Sequence, residues 1–264
     1  MIHHPISFSE YKKLPGMSNS LMKHFDQSAR HAWNAMTLPQ ERTDAMLLGN
    51  LTDHLLFGTQ FDYAVSPFDD FRSKDAKAWR DAQHDAGLEV FKQPTVDAVR
   101  TMVHRIKTHP AAAEILKSGR AQVGMDWEFT HDGQKMTIKG LADWVSDEVL
   151  CLADLKTTED ASEATFMKHI VNMGYDAQAA LYRDLWEWNT GESIAWAWIV
   201  SESKPPHETA VYIASEELLD RGRKVYTARL SKYARVLKTG VWAGYPESAT
   251  VIDLPAWAKE REPR

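Results

Sequence analysis

The rhythm of apolar and polar positions changes near residue 120, and the two rhythms predict two kinds of secondary structure. Residues 1–120 read as mainly helical. Asn19-Ser20 offers a cap before Leu21-Met22-Lys23-His24-Phe25, and Ala45–Phe57 is an apolar-rich helix closed by Gly58. Lys74–Ala86 is polar and helical. Pro94 suits the first turn of a further helix that runs to His109-Pro110, and Ala111–Lys117 resumes it.

Beyond residue 120 the period shortens to two. Gln122–Thr130 alternates and is followed by His131-Asp132-Gly133-Gln134, whose Asp-Gly pair signals a hairpin turn. Lys135–Val145 and Val149–Lys156 read as two more strands, with Ser146-Asp147-Glu148 between them. Helices are predicted over Ala161–Val171 and Tyr175–Trp188. Strands follow at Ile194–Ser201 and Glu208–Ile213, then a long helix over Glu216–Leu237 and a Trp-rich tail. A helical front, a central mixed sheet and helices returning over it make an α/β or α+β fold. No repeat or low-complexity linker interrupts residues 1–264. A single domain is expected, mainly helical over 1–120, with the sheet and its covering helices over 121–264.

Composition narrows the class. A chain of 264 residues with 44% hydrophobic and 26% charged residues can bury a core and is not disordered. No apolar run approaches the ~20 residues that cross a bilayer. The start, Met1-Ile2-His3-His4-Pro5, lacks the regions of a signal peptide, and Cys151 is the single cysteine. One thiol excludes an internal disulfide framework and a multi-cysteine zinc site, so a cytoplasmic location is expected.

The informative chemistry lies in Gly140-Leu141-Ala142-Asp143-Trp144 and Ala153-Asp154-Leu155-Lys156-Thr157-Thr158. Strand side chains alternate, so Asp154 and Lys156 project together while Cys151, Ala153 and Leu155 face the opposite, packed side. Asp143 joins the pair if the two strands form a hairpin. Charges in such an apolar strand are costly unless paired or bound to a metal. An oxygen-rich set suits Mg²⁺, or Mn²⁺, which can activate water and neutralise charge on a phosphate. Spacing alone favours a surface salt bridge between Lys156 and an aspartate at a strand end.

An acid, a hairpin and an acid-X-Lys triplet resemble the motif of the PD-(D/E)XK nuclease superfamily. Asp143 matches the first acid and Asp154-Leu155-Lys156 the triplet. Tyr175-Asp176-Ala177-Gln178-Ala179-Ala180-Leu181-Tyr182 resembles the helix that carries Gln and Tyr in the RecB-like branch, with Gln178 and Tyr182 on one helix face. Thr157-Thr158-Glu159-Asp160-Ala161-Ser162, Phe166, Met17-Ser18-Asn19-Ser20-Leu21-Met22-Lys23 and Leu48-Gly49-Asn50 extend the likeness to the phage exonuclease VIII (RecE) family. It runs from about residue 15 to Trp242-Ala243-Gly244-Tyr245.

The resemblance implies a restriction-endonuclease-like core and one or two Mg²⁺ ions held by Asp143, Asp154 and the Leu155 carbonyl. Lys156 would position or deprotonate water, and Gln178 and Tyr182 would orient Lys156 or the phosphate. Family members carry a Gly-X-X-X-His helix with a metal-binding histidine. Here Asp53 has the spacing from Gly49 and His54 has the chemistry, and both remain candidates. The family acid early in the strand before the hairpin is replaced by Gln122, with Glu128 further along.

The implied activity is 5′→3′ digestion of double-stranded DNA ends, leaving 3′ single strands for an annealing partner in phage-type recombination. A homo-oligomeric ring, no membrane contact and a phage or prophage origin in a bacterial host are implied with it. Two other readings are a single-strand or structure-specific nuclease of the Cas4 type and a catalytically silent DNA-binding scaffold. One cysteine excludes the iron–sulfur version of the former. The intact acids and lysine argue against the latter.

The net charge of −6 hides an asymmetry. Residues 221–240 hold seven basic residues and no acid, so the remainder carries −6 − 7 = −13. Leu219, Gly222, Tyr226, Leu230, Tyr233 and Leu237 form an apolar stripe at helical spacing. Arg221, Arg223, Lys224, Lys232 and Arg235 lie off it, as candidates for contact with DNA phosphates or a neighbouring subunit.

Overall fold

A computed structural model describes residues 1–38 and 42–254. The front of the chain runs β1 (Ile2–His3), α1 (Phe8–Lys13), β2 (Met17–Ser18), α2 (Asn19–Met22), a 3₁₀ turn (Lys23–Asp26), α3 (Ala29–Thr37) and α4 (Asp44–Phe57). It continues through β3 (Tyr63–Ser66), α5 (Lys74–Asp85), β4 (Glu89–Lys92), α6 (Gln93–Thr108) and α7 (Pro110–Leu116). The second part holds β5 (Gly119–His131), β6 (Gln134–Ser146), β7 (Cys151–Thr158), α8 (Glu163–Met173), α9 (Tyr175–Thr190), β8 (Ala195–Glu202), β9 (Thr209–Ile213) and α10 (Glu216–Thr239). The fold is a mixed α/β one, a central mixed sheet flanked by helices.

The sheet order is β1-β5-β6-β7-β8-β9, with β2 added beside β6. The β5–β6 and β6–β7 pairs are antiparallel, and β7–β8 is parallel because α8 and α9 intervene. Asp132 and Gly133 have positive φ and make the tight hairpin turn that Asp-Gly favours. A second sheet of β3 and β4 is parallel and separate. Two apolar clusters cover the main sheet. One holds Val123, Ile138, Leu152, Phe166, Leu181 and Leu230 under α8, α9 and α10; the other holds Leu51, Val99, Ile106, Cys151, Ala153 and Leu155 under α4 and α6.

Helix ends follow local chemistry. The Thr43 and Ser73 side chains accept from the first-turn N–H groups of α4 and α5, and Gly58 closes α4 at φ 71°. Two expectations shift. The strand predicted from Val149 begins at Cys151, because Val149 and Leu150 are exposed in a turn and Leu150 has φ 45°. At the end of α10 the apolar stripe passes through Val236, and Leu237 is exposed.

Gly222 sets how closely the last helix can lie. A Cβ there would stand 2.0 Å from the Asp176 carbonyl oxygen, so α10 crosses α9 backbone to backbone. Two ion pairs flank the crossing. Arg221 meets the buried Asp176, and Arg223 donates to both oxygens of Asp184 at 2.8 and 2.9 Å. Asp176 and Asp184 thus hold the helix that carries Gln178 and Tyr182.

Candidate active site

Strand β6 changes partner along one edge. Residues 144–146 pair with β7, residues 138–139 pair with β2, and 140–143 lie in the fork between them. Asp143 sits at the mouth of the fork, and its Oδ2 accepts from the Leu155 N–H at 3.0 Å. A side chain therefore takes the place of the missing ladder partner. Extending the register Trp144↔Ala153 by one residue sets Asp143 across from Asp154.

Asp154 is buried, and Lys156 contacts its Oδ2. Gln178 of α9 donates to Asp154 Oδ1 at 2.8 Å. Tyr182, one turn on, is buried and hydrogen-bonded to the Leu141 backbone, with its ring over Gly140. A Cβ at Gly140 would meet that ring at 2.7 Å, so the glycine makes room for the tyrosine. Thus Asp143, Asp154, Lys156 and Gln178 converge, with Tyr182 supporting the fork.

Asp53 and His54 diverge. Asp53 shares the field of Asp143, Asp154 and Lys156. The His54 ring Nδ1 instead bonds to the Thr59 carbonyl, and its edge meets Tyr63 at 5.6 Å. The roughly 100° between successive helical residues permits only one of the pair to face the site. Of the two, Asp53 lies with the other acids, and the His54 ring is turned to Thr59 and Tyr63. Glu128 also lies away, exposed and paired with Lys135 at 2.8 Å. Gln122 stands across β5–β6 from Asp143 with φ 49°, a conformation that non-glycine residues seldom adopt.

One functional neighbour was not anticipated. Tyr175 places its ring 4.8 Å from the Lys156 ammonium, a cation–π contact. Tyr175, Gln178 and Tyr182 fall at i, i+3 and i+7, so the face holding the latter two already contained it.

The electrostatics are those of crowded acids. Burial, reinforced by Asp154, pushes the Asp143 carboxyl up to about 7 against the pull of Lys156 and the Leu155 N–H. Burial raises Asp154 as well, with Lys156 and Gln178 opposing. Asp53 is raised well above the usual carboxylate range by burial and then by Asp143. Burial works against charge on Lys156, but Asp154 and Asp143 outweigh it and hold the ammonium form. An open cleft of about 480 Å³ lies over Asp53, Gln122 and Asp143, with Ser7, Lys12 and Arg42 among its walls.

The donor set suits a hard divalent cation. Burial, then mutual repulsion, raises Asp53 and Asp143 against the pull of Lys156, and buried Asp154 Oδ2 has no well-formed hydrogen bond despite its contact with Lys156. Among the described residues no three His, Cys, Asp or Glu side chains already stand at ligating spacing. The acids are gathered, with Lys156 against Asp154 Oδ2.

The cations assigned to DNA on α10 divide into two groups. Arg221 and Arg223 are tied to Asp176 and Asp184, and Lys232 donates to the Phe25 carbonyl at 2.9 Å. Internal partners thus occupy the groups placed as phosphate contacts at those three positions. Lys224 and Arg235 are exposed and, among the described residues, in no ion pair. Among those residues no helix is long and apolar enough to cross a membrane.

Comparison with solved structures gives a candidate exonuclease from Eubacterium rectale, 15% identical, covering 96% of each chain at a TM-score of 0.65. A phage related exonuclease from Haemophilus somnus is 11% identical over 81% of this chain and 96% of its own. Its TM-score of 0.32 is too low to establish a shared fold. A search of the curated proteins found no match. The family model described as the PDDEXK-like domain of unknown function (DUF3799) matches residues 18–255, nearly the whole chain. With its fork of acids and lysine on the central mixed sheet, this chain belongs to the PDDEXK-like DUF3799 family.

Proposed function

We propose that this protein is a divalent-metal-dependent nuclease that hydrolyses phosphodiesters at the ends of double-stranded DNA. The observation that carries the reading is the convergence of Asp143, Asp154, Lys156 and Gln178 at the fork of β6 and β7. Family membership and a fold shared with a protein described as an exonuclease support it. The resemblance to the phage exonuclease VIII family supplies the finer terms. These are 5′→3′ polarity, Mg²⁺, a ring-shaped oligomer, and 3′ strands handed to an annealing protein.

Asp143, Asp154, Asp53 and the Leu155 carbonyl would hold the cation, which when bound supplies Lewis-acid activation of water and offsets charge on the phosphate. The chain's own residues orient the reactants. Lys156, kept protonated by Asp154 and Asp143, presents an ammonium to a phosphate oxygen or to the attacking water. In that form it steers and donates. Gln178 fixes the Asp154 carboxylate plane, while Tyr175 and Asp154 fix the lysine. Tyr182 and Gly140 keep the fork open.

Digestion of duplexes labelled at the 5′ or the 3′ end, linear against closed circular, tests the finer terms. Early release of 5′ label from linear DNA alone supports them. Cutting of circles, or early release of 3′ label, overturns end-dependence or polarity respectively.

A further inference from the structure

The cations of α10 that internal acids leave unpaired form a pattern of their own. Lys224, Ala228, Ser231, Arg235 and Lys238 are spaced 4, 3, 4 and 3, which keeps them on one helix face. Lys224, Ala228, Arg235 and Lys238 are exposed, and among the described residues none of the three cations is in an ion pair. Ala228 and Ser231 are small, so a ligand can lie against the helix between the long cationic arms. At 1.5 Å per residue the stripe runs about 21 Å, the length of roughly six base pairs of duplex.

The far end of this face opens into a groove of about 600 Å³, lined by Ser231, Lys232, Arg235, Lys238 and Thr239, with Asp132 across it. Asp132 belongs to the turn of the β5–β6 hairpin. Ser231 hydrogen-bonds the His131 ring at 2.9 Å, pinning that turn to α10. Counted along β5, the turn lies nine residues, or about 30 Å, from Gln122 beside the catalytic acids.

We infer that this face of α10, with the groove at its end, seats the sugar–phosphate backbone of duplex DNA away from the cleavage site. The inference rests on the nuclease reading and adds to it a location and a set of residues. The ligand is polyanionic because every long side chain on the stripe is a cation. Contact is with the phosphate backbone, because the stripe presents cations between small residues and no amide side chain. Asp132 is the single acid on the groove, so it repels phosphate and limits affinity. The competing occupant is the acidic body of a second copy of this chain.

The test measures binding of a blunt 30-base-pair duplex by full-length protein carrying Lys156→Ala, with and without Lys224→Gln, Arg235→Gln and Lys238→Gln. Three lost phosphate contacts should weaken binding on the order of 10- to 100-fold near 0.1 M salt and lower the log–log salt slope by about 2.7. Asp132→Asn, which the turn tolerates, should tighten binding a few-fold and serves as a gain-of-function control.

Unchanged affinity and slope in the triple variant overturn the inference. A change in sedimentation coefficient at unchanged monomer affinity also overturns it, in favour of the second copy. Nuclease activity is assayed separately, in protein with Lys156 intact. An active parent whose DNA affinity ignores the triple substitution contradicts only this inference. A parent inactive with every divalent metal contradicts the nuclease reading itself.

Discussion

The Asp143 carboxylate accepts the backbone N–H of Leu155 at 3.0 Å, where β6 has parted from β7 and no strand carbonyl remains to accept it. One aspartate thus closes a gap in the sheet and supplies a ligand at its edge. The roles separate by substitution. Asp143→Asn keeps an acceptor and should fold, while Asp143→Ala leaves the Leu155 N–H short of a partner and should cost about 1–2 kcal/mol. Both should lose on the order of 10²-fold or more in activity, since both remove the charge. Chemical denaturation of the two variants beside the wild type checks this. An alanine variant as stable as the asparagine one would refute the structural role.

Crowded acids also predict a pH dependence. The Asp143 carboxyl titrates near 7 in the metal-free fold, against about 4 in an unfolded chain. Its contribution to stability is full below the lower value and is lost as pH rises toward the upper one. In chelator, Asp143→Asn should therefore gain on the wild type between about pH 4 and pH 7 and hold its advantage above. Melting temperatures of the pair at several pH values decide it. A gap independent of pH contradicts a carboxyl raised by burial and by Asp154.

Tyr175 is assigned to Lys156 by its ring and not by its hydroxyl. Tyr175→Phe should keep activity within a few-fold, and Tyr175→Leu should lose about 10-fold, in line with a partly buried cation–π contact. Turnover on linear duplex measures both. A phenylalanine variant as impaired as the leucine one would transfer the role to the hydroxyl.

At the crossing of α9 and α10, Gly222→Ala must push two backbones apart, because the added carbon would overlap the Asp176 carbonyl. A loss of about 3 kcal/mol or more is expected, the upper end of overpacking costs. A variant melting within a degree of the wild type would show that the helices slide freely.

The strand of the candidate site was legible because alternation alone puts Asp154 and Lys156 on one face and Cys151, Ala153 and Leu155 on the other. Cys151, Ala153 and Leu155 do lie in the cluster under α4 and α6. The two-residue strands β1 and β2 carried no periodicity to read, and the β3–β4 pair joins segments too short to announce themselves. Asp53 and His54 could not be separated without the azimuth of α4. The free cations of α10 could not be told from the bound ones by charge counting. Arg221 and Arg223 meet acids that lie on another helix, far away in sequence. Tyr175 was visible in its spacing from Gln178 and Tyr182.

The central claim is that Asp143, Asp154 and Lys156 act together in metal-dependent phosphodiester hydrolysis. Release of acid-soluble nucleotides from linear duplex, with Mg²⁺ or Mn²⁺ and then with excess chelator, measures it directly. The wild type should digest the DNA only with metal, and Lys156→Ala, still folded and still binding duplex, should be slower on the order of 10³-fold. Digestion that persists in chelator, or that survives Lys156→Ala undiminished, would contradict the account.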